Sequence, residues 1–110
     1  MARHVFLGLT SPVDDQEHEY NEWYNETHIP EILSVPGIIS ARRFKTKVVH
    51  APGAPAWKYI CIFEVETDDL GSTLKALGEA TSSPISALDE SVSGSIVAKE
   101  VFALHESEID

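Results

Sequence analysis

The stretch Trp57-Lys58-Tyr59-Ile60-Cys61-Ile62-Phe63-Glu64-Val65 is aromatic, β-branched and uninterrupted, which predicts a strand over residues 57–65. Trp57, Tyr59, Cys61, Phe63 and Val65 alternate onto one face, and Ile60 and Ile62 make the other face apolar too. A strand that is apolar on both sides calls for cover on both sides. The whole chain has 110 residues, one domain over residues 1–110.

The neighbouring segments supply one cover. Residues 3–9 alternate as a strand, with Val5, Leu7 and Leu9 on one face and His4, Phe6 and Gly8 on the other. Thr10-Ser11-Pro12 breaks it, and Asp14 or Asp15 is the expected N-cap of a helix. On that helix Tyr20, Trp23, Tyr24 and Thr27 share a stripe with His28 at its edge, while Glu19, Glu22 and Glu26 face away. Pro30 predicts an end or kink at about His28 and a short second turn over 30–34. After the turn Val35-Pro36-Gly37, a strand is expected over 38–49, and 50–56 is a loop by its Pro and Gly content. A helix over 70–80, capped from Thr67-Asp68-Asp69, is followed by a short helical piece over 84–89 with Ser83 as cap. A last strand is expected over 96–104, then an acidic, frayed tail over 105–110.

Strand, helix, strand, strand, helix, strand is the ferredoxin-like βαββαβ order. It is an α+β fold with a four-stranded antiparallel sheet and both helices on one face. Nothing in 110 residues is left to cover the other face, so the expected partner is a second copy joined through the sheet faces.

Composition narrows the partners. Eight Lys and Arg against 18 Asp and Glu give a formal charge of −10, which repels phosphate backbones and anionic headgroups, so neither nucleic acid nor membrane is an expected partner. No apolar run approaches the roughly 20 residues of a membrane span. The first ten residues alternate like a strand and imply no export. One cysteine, Cys61, excludes an internal disulfide and reads as an inert buried thiol; a cytoplasmic compartment is expected. Half of the basic residues, Arg42, Arg43, Lys45 and Lys47, fall in one strand.

The stretch Asn21-Glu22-Trp23-Tyr24-Asn25-Glu26-Thr27-His28-Ile29-Pro30-Glu31-Ile32-Leu33-Ser34-Val35-Pro36-Gly37, followed by Ala41-Arg42-Arg43-Phe44, resembles the motif of the EthD-like families of the dimeric α+β barrel superfamily. In that motif a Trp-Tyr-x-x-x-His-x-Pro helix end precedes a Val-Pro-Gly turn and an Arg-rich second strand. The resemblance implies a homodimer with facing sheets and a small-molecule pocket between each sheet and its helices, lined by the histidine. Relatives of this kind include lactone isomerases, polyketide cyclases, hydroxynitrile lyases, haem-degrading monooxygenases and proteins with no assigned activity.

His28 is the leading catalytic candidate. A helix end favours its protonated form and the aromatic neighbours favour the neutral one, so it is balanced for proton transfer. The alternative is a helix C-cap with no chemistry. Tyr24, as catalytic partner, and Tyr20 are placed to donate hydrogen bonds to a carbonyl or phenolate, or else pack in the core with wet tips. Trp23 reads as a packing anchor that also lines the site. Arg42 and Arg43 point to opposite faces. Either both lie on exposed strand edges or pair with the acidic helix, or one enters the pocket; Arg42, grouped by parity with Ile38, Ser40 and Phe44, is then the better candidate, with Phe44 beside it. Trp57 and Tyr59 either line the pocket or pack at the dimer seam.

The histidines His4, His18, His28, His50 and His105 lack zinc-helix spacing, so no metal is expected, although His4 and His28 could meet in space. No phosphate loop or nucleophile elbow exists. Three functions remain. The first is a cofactor-independent lyase or isomerase in which His28 moves a proton on a small carbonyl, lactone or aromatic polyketide-like substrate. The second is a haem-degrading or cofactor-free monooxygenase, and the third a non-catalytic binding protein.

Overall fold

The computed structural model describes residues 1–54, 56–82 and 84–104. Its elements run β1 (Arg3–Thr10), α1 (Glu17–Trp23), a π-helical turn (Tyr24–His28), α2 (Ile29–Leu33), β2 (Ile38–Lys45), β3 (Tyr59–Glu66), α3 (Leu70–Ala80), a 3-10 turn (Glu90–Val92) and β4 (Gly94–Lys99). The four strands form one antiparallel sheet in the order β2-β3-β1-β4, the ferredoxin-like arrangement.

Register fixes which side chains face the helices. Phe6 lies opposite Phe63 and Gly8 opposite Cys61, so His4, Phe6 and Gly8 share a face with Tyr59, Cys61, Phe63 and Val65. These β3 residues are buried with Tyr20, Tyr24 and Ile32 from the first helical segment and Leu77 from α3. Phe6 and Phe63 meet edge to face at 5.6 Å. Among the described residues no helix lies across the opposite face, with Val5, Leu7, Ile60, Ile62 and Ile96, and Ile96 is 48% exposed. Asp69 caps α3 by accepting from the Ser72 N–H.

Several boundaries differ from the sequence reading, each for a local reason. Gln16, not Asp14 or Asp15, stands at the N-cap of α1 and makes no side-chain cap bond. Asp15 instead takes φ +66 in the preceding turn, a conformation Asp tolerates better than most residues. Of the end or kink expected at about His28 the helix shows no end, and the short second turn expected over 30–34 is present as α2. The Ile29 N–H donates to the Tyr24 carbonyl in a wider turn, and Pro30 falls in the first turn of α2, where its missing N–H costs little.

Residues 84–89 form a turn rather than a helix, because their backbone pairs with the segment after β1. Val13 donates to Ala87 (2.7 Å), Asp89 donates to Ser11 (2.9 Å), and Pro12 bridges Leu88. β2 ends at Lys45 rather than 49. β4 begins two residues earlier than expected and ends at Lys99, leaving Val101 and Phe102 94% and 77% exposed. The expected cap Ser83 and the tail 105–110, with His105, lie outside the described residues. No helix among the described residues is long and apolar enough to cross a membrane.

Candidate functional site

Tyr20, Tyr24 and His28 rise from the inner side of the first helical segment, one turn apart each. Tyr20 is fully buried, its hydroxyl bonded to Thr10 on β1. Tyr24 packs against it with ring centroids 5.6 Å apart. Burial pushes both phenols above the ordinary tyrosine value, so both stay protonated and able to donate.

The π turn positions His28. In an α-helix residues five apart point about 140° away from one another. In the wider turn Trp23 and His28 stack instead, with centroids 4.6 Å apart and rings 20° from parallel. Tyr24 stands steeply inclined to the imidazole, with centroids 4.9 Å apart, and meets Trp23 edge to face at 5.6 Å. The same change of phase leaves Thr27 exposed on the outer, acidic side with Glu22 and Glu26 rather than on the aromatic stripe. The imidazole is half-buried and its Nδ1 is enclosed without a hydrogen-bond partner. Burial lowers its pKa below the ordinary 6.5; Glu31 opposes the shift and the positive Arg43 reinforces it. Desolvation therefore outweighs any helix-end effect, in line with a helix that continues past His28.

Arg43, not Arg42, faces this cluster. A bulge between Ile38 and Ser40 shifts the register, so Ile38 opposes Val65 on the helix-covered face while Ser40 opposes Glu64 on the bare one. The parity that grouped Arg42 with Ile38 is broken there. Arg42 and Phe44 lie on the bare face, stacked on each other at 5.1 Å, and are not part of the His28 cluster. The Arg43 guanidinium lies over Tyr24 (4.4 Å), Tyr59 (5.0 Å) and Tyr20 (5.4 Å), and donates to the side-chain oxygens of Asn25 (2.7 Å) and Asn21 (2.9 Å).

Tyr59 belongs to the same group: its ring is 5.3 Å from Tyr20, and its hydroxyl donates to Glu17 and accepts from Asn21. It stands on the helix-covered side, away from the bare face. Trp57 lies before β3, half-buried, and contributes only a carbonyl accepting from Thr46 to the described hydrogen bonds. The sequence reading names neither Asn21, Asn25 nor Glu17 as site residues, and it weighs Arg43 only as the other arginine of its strand. The one available signal was the amide pair Asn21 and Asn25, one turn apart beside the tyrosines.

The aromatic rings and the Arg43 side chain fill the helix–sheet interior where the resemblance implies a pocket. A hollow of about 300 Å3 lies instead on the bare face by Val5, Glu64 and Ala98. No group of three or more His, Cys, Asp or Glu among the described residues is placed to hold a metal ion. Cys61 is buried beneath Tyr24, its thiol pushed up to about 11.

Two solved structures share this architecture. A candidate monooxygenase from Shewanella loihica PV-4 superposes with a TM-score of 0.64 at 14% identity, over 94% of this chain and 99% of that one. An ethyl tert-butyl ether D (EthD) family protein from Bacillus halodurans C-125 superposes with a TM-score of 0.50 at 14% identity, over 92% of this chain and 100% of that one. The fold is EthD-like. No protein-family model matches the sequence, and no curated protein matches it. On this EthD-like fold the Trp-Tyr-x-x-x-His motif residues are the ones that the π turn gathers: Trp23, Tyr24 and His28.

Proposed function

We propose that this EthD-like chain is a small enzyme of the lyase or isomerase type, working without a cofactor. His28 takes and returns a proton on a small carbonyl, lactone or aromatic polyketide-like substrate. One observation carries the reading: an imidazole kept neutral by burial, with Nδ1 enclosed and unpartnered. Neutral imidazole is the form that accepts a proton at pH 7. Trp23 holds the ring by stacking, and Tyr24, which stays a phenol, is the adjacent donor for the oxygen on which negative charge develops.

The working unit is a homodimer. The bare face carries Val5, Leu7, Ile62 and Ile96, and exposed Val101 and Phe102 extend past β4. The chain's radius of gyration, 15.2 Å, exceeds the ~13 Å of a compact domain of this size, as expected of a subunit with arms that pack on a partner.

A second reading has support in the likeness to the candidate monooxygenase. The same base removing a proton from a phenol or enol would prepare an electron-rich substrate for oxygen. One experiment separates the two. A panel of enolisable ketones, lactones and phenols is incubated in D2O with oxygen uptake recorded. Solvent deuterium exchange or isomerisation without oxygen uptake, lost in His28→Gln, supports the first reading; uptake that depends on His28 supports the second. Turnover unchanged in His28→Gln overturns both.

A further inference from the structure

We propose that the apolar arm over residues 101–104 is exchanged between two copies of this chain, the Phe102 ring of each seated in the hollow beside Val5 and Ala98 on the bare face of the other. This rests on the homodimer reading above and names the contact that locks it; the test keeps the two apart.

The hollow follows from residue size along the ladder. Glu64, Val5 and Ala98 stand opposite one another across β3, β1 and β4, and one row along the same positions carry Ile62, Leu7 and Ile96. Alanine where the next row has isoleucine leaves a dip of about 300 Å3 with an apolar floor. Other hollows of the surface are rimmed by acids, Asp14, Asp15 and Glu17 at one and Glu19, Glu22 and Glu26 at another. The dip by Ala98 is the better seat for an apolar ring.

The arm has no such seat in its own chain. The Glu100 N–H still donates to the Arg3 carbonyl (2.8 Å), but β1 begins at Arg3, and the Ala2 carbonyl is taken by the Thr67 N–H (3.0 Å). Among the described residues no backbone hydrogen bond joins 101–104 to the sheet. Val101, Phe102 and Leu104 are each more than half exposed, and Phe102 is the most exposed aromatic side chain among the described residues. Alternation carries Ile96, Ala98 and Glu100 onto the bare side, so an arm that stays extended brings Phe102 and Leu104 to that side as well.

Phe102 stands four residues from Ala98, ~13 Å along an extended strand, and the pairing of Glu100 with Arg3 keeps the chain from turning back between them. The same ~13 Å exceeds the ~10 Å between packed sheets, so the arm reaches a facing copy. Two-fold symmetry then gives two arms and two hollows. Charge agrees. Arg3 and Lys99 line the hollow together with Glu64 and Glu100, a neutral lining on a chain of formal charge −10. The sequence after the arm carries Glu106, Glu108 and Asp110, which such a lining repels less than the acidic helix α1 does.

The test is a cross-link between chains. Ala98→Cys and Phe102→Cys are prepared as separate variants, mixed to exchange subunits and treated with a short bismaleimide; remaining thiols, the buried Cys61 included, are capped before denaturing electrophoresis. Both positions are exposed, so the fold is kept, which unchanged far-ultraviolet dichroism verifies. The expected result is a two-chain band in the mixture well beyond that of either variant alone. In sedimentation, Phe102→Ala should raise the dimer dissociation constant roughly a hundredfold or more, since both rings are lost at once. Ala98→Leu, which fills the hollow, should weaken the wild-type dimer but add little once Phe102 is replaced. A mixture no more cross-linked than its components, or additive losses from the two substitutions, overturns the exchange and leaves the dimer standing. A double variant, Ala98→Cys with Phe102→Cys, that links within a single chain overturns it by placing the arm on its own hollow. A wild type that sediments as one chain removes the dimer and the exchange together.

Discussion

The hydroxyl of Tyr24 fills the space over Gly8, 2.9 Å from where a Cβ on that residue would stand. Gly8 lies opposite Cys61 across the β1–β3 ladder, so the floor beneath Tyr24 is built from two small residues. Alanine at position 8 has no conformational objection to a strand, but its methyl group and the phenol cannot share the site. Tyr24 is 2% exposed and cannot swing out cheaply. We expect Gly8→Ala to cost about 1–3 kcal/mol in denaturant unfolding. In a Tyr24→Phe background, where the clashing oxygen is gone, the same substitution costs distinctly less. Gly78→Ala is the control: nothing lies within 4 Å of its Cβ on the exposed side of α3, and it should stabilise by ~0.5–1 kcal/mol.

The Tyr59 hydroxyl is the main cause of the depressed pKa of Glu17, with Lys45 second. Removing it in Tyr59→Phe should bring the Glu17 carboxyl back toward its ordinary 4.5, which a carboxyl-carbon NMR titration reads directly. A depressed carboxylate favours the folded state above its unfolded value, and that contribution fades as pH falls through the folded value. The variant therefore loses part of the wild type's fall in stability below pH 4.5. An unmoved Glu17 titration would show that Lys45 alone holds the carboxylate.

How far the sequence could be read follows from where its periodicities hold. Strict alternation in β1 and β3 made the two-faced sheet and its element order legible, and the sheet order β2-β3-β1-β4 follows from them. Alternation misleads in β2, where the bulge between Ile38 and Ser40 moves Arg43 to the helix side and Arg42 and Phe44 to the bare one. A bulge adds a residue without any mark in side-chain chemistry. The helical stripe also fails locally. A 100° wheel places Thr27 with the tyrosines, whereas the π turn turns Thr27 outward and stacks His28 on Trp23. The helix expected over 84–89 does not form because the Ala87 carbonyl and the Asp89 N–H pair with Val13 and Ser11, a tertiary preference that no local pattern carries.

If the bare face meets a second copy, one charge at its centre should separate the copies without unfolding either. Ile62 lies on that face in β3, opposite Leu7 on β1 and Arg42 on β2. Sedimentation of the wild type at micromolar concentration should give the mass of two chains, and Ile62→Lys that of one, with the far-ultraviolet dichroism unchanged. A wild type that sediments as a single chain removes the dimer from the functional reading.

The lowered pKa of His28 sets a pH dependence of definite sign. In the unfolded chain the imidazole titrates near 6.5, and in the folded chain burial holds the proton off until lower pH. Between those two values the unfolded state binds more protons, so stability falls as pH drops below about 6.5 and levels off below the folded value. His28→Gln has no such proton to bind, so that part of the stability profile should flatten, as read by thermal melts at closely spaced pH. Replacing Arg43 with Gln removes one of the two charges acting on the imidazole. The one that remains, Glu31, raises the pKa, so the His28 titration followed by NMR should move back toward 6.5 in Arg43→Gln. If the base reading is right, the acid limb of kcat/KM moves with it. An imidazole found to titrate above 6.5 in the folded wild type would reverse the sign of the stability dependence and remove the buried neutral base from the functional reading.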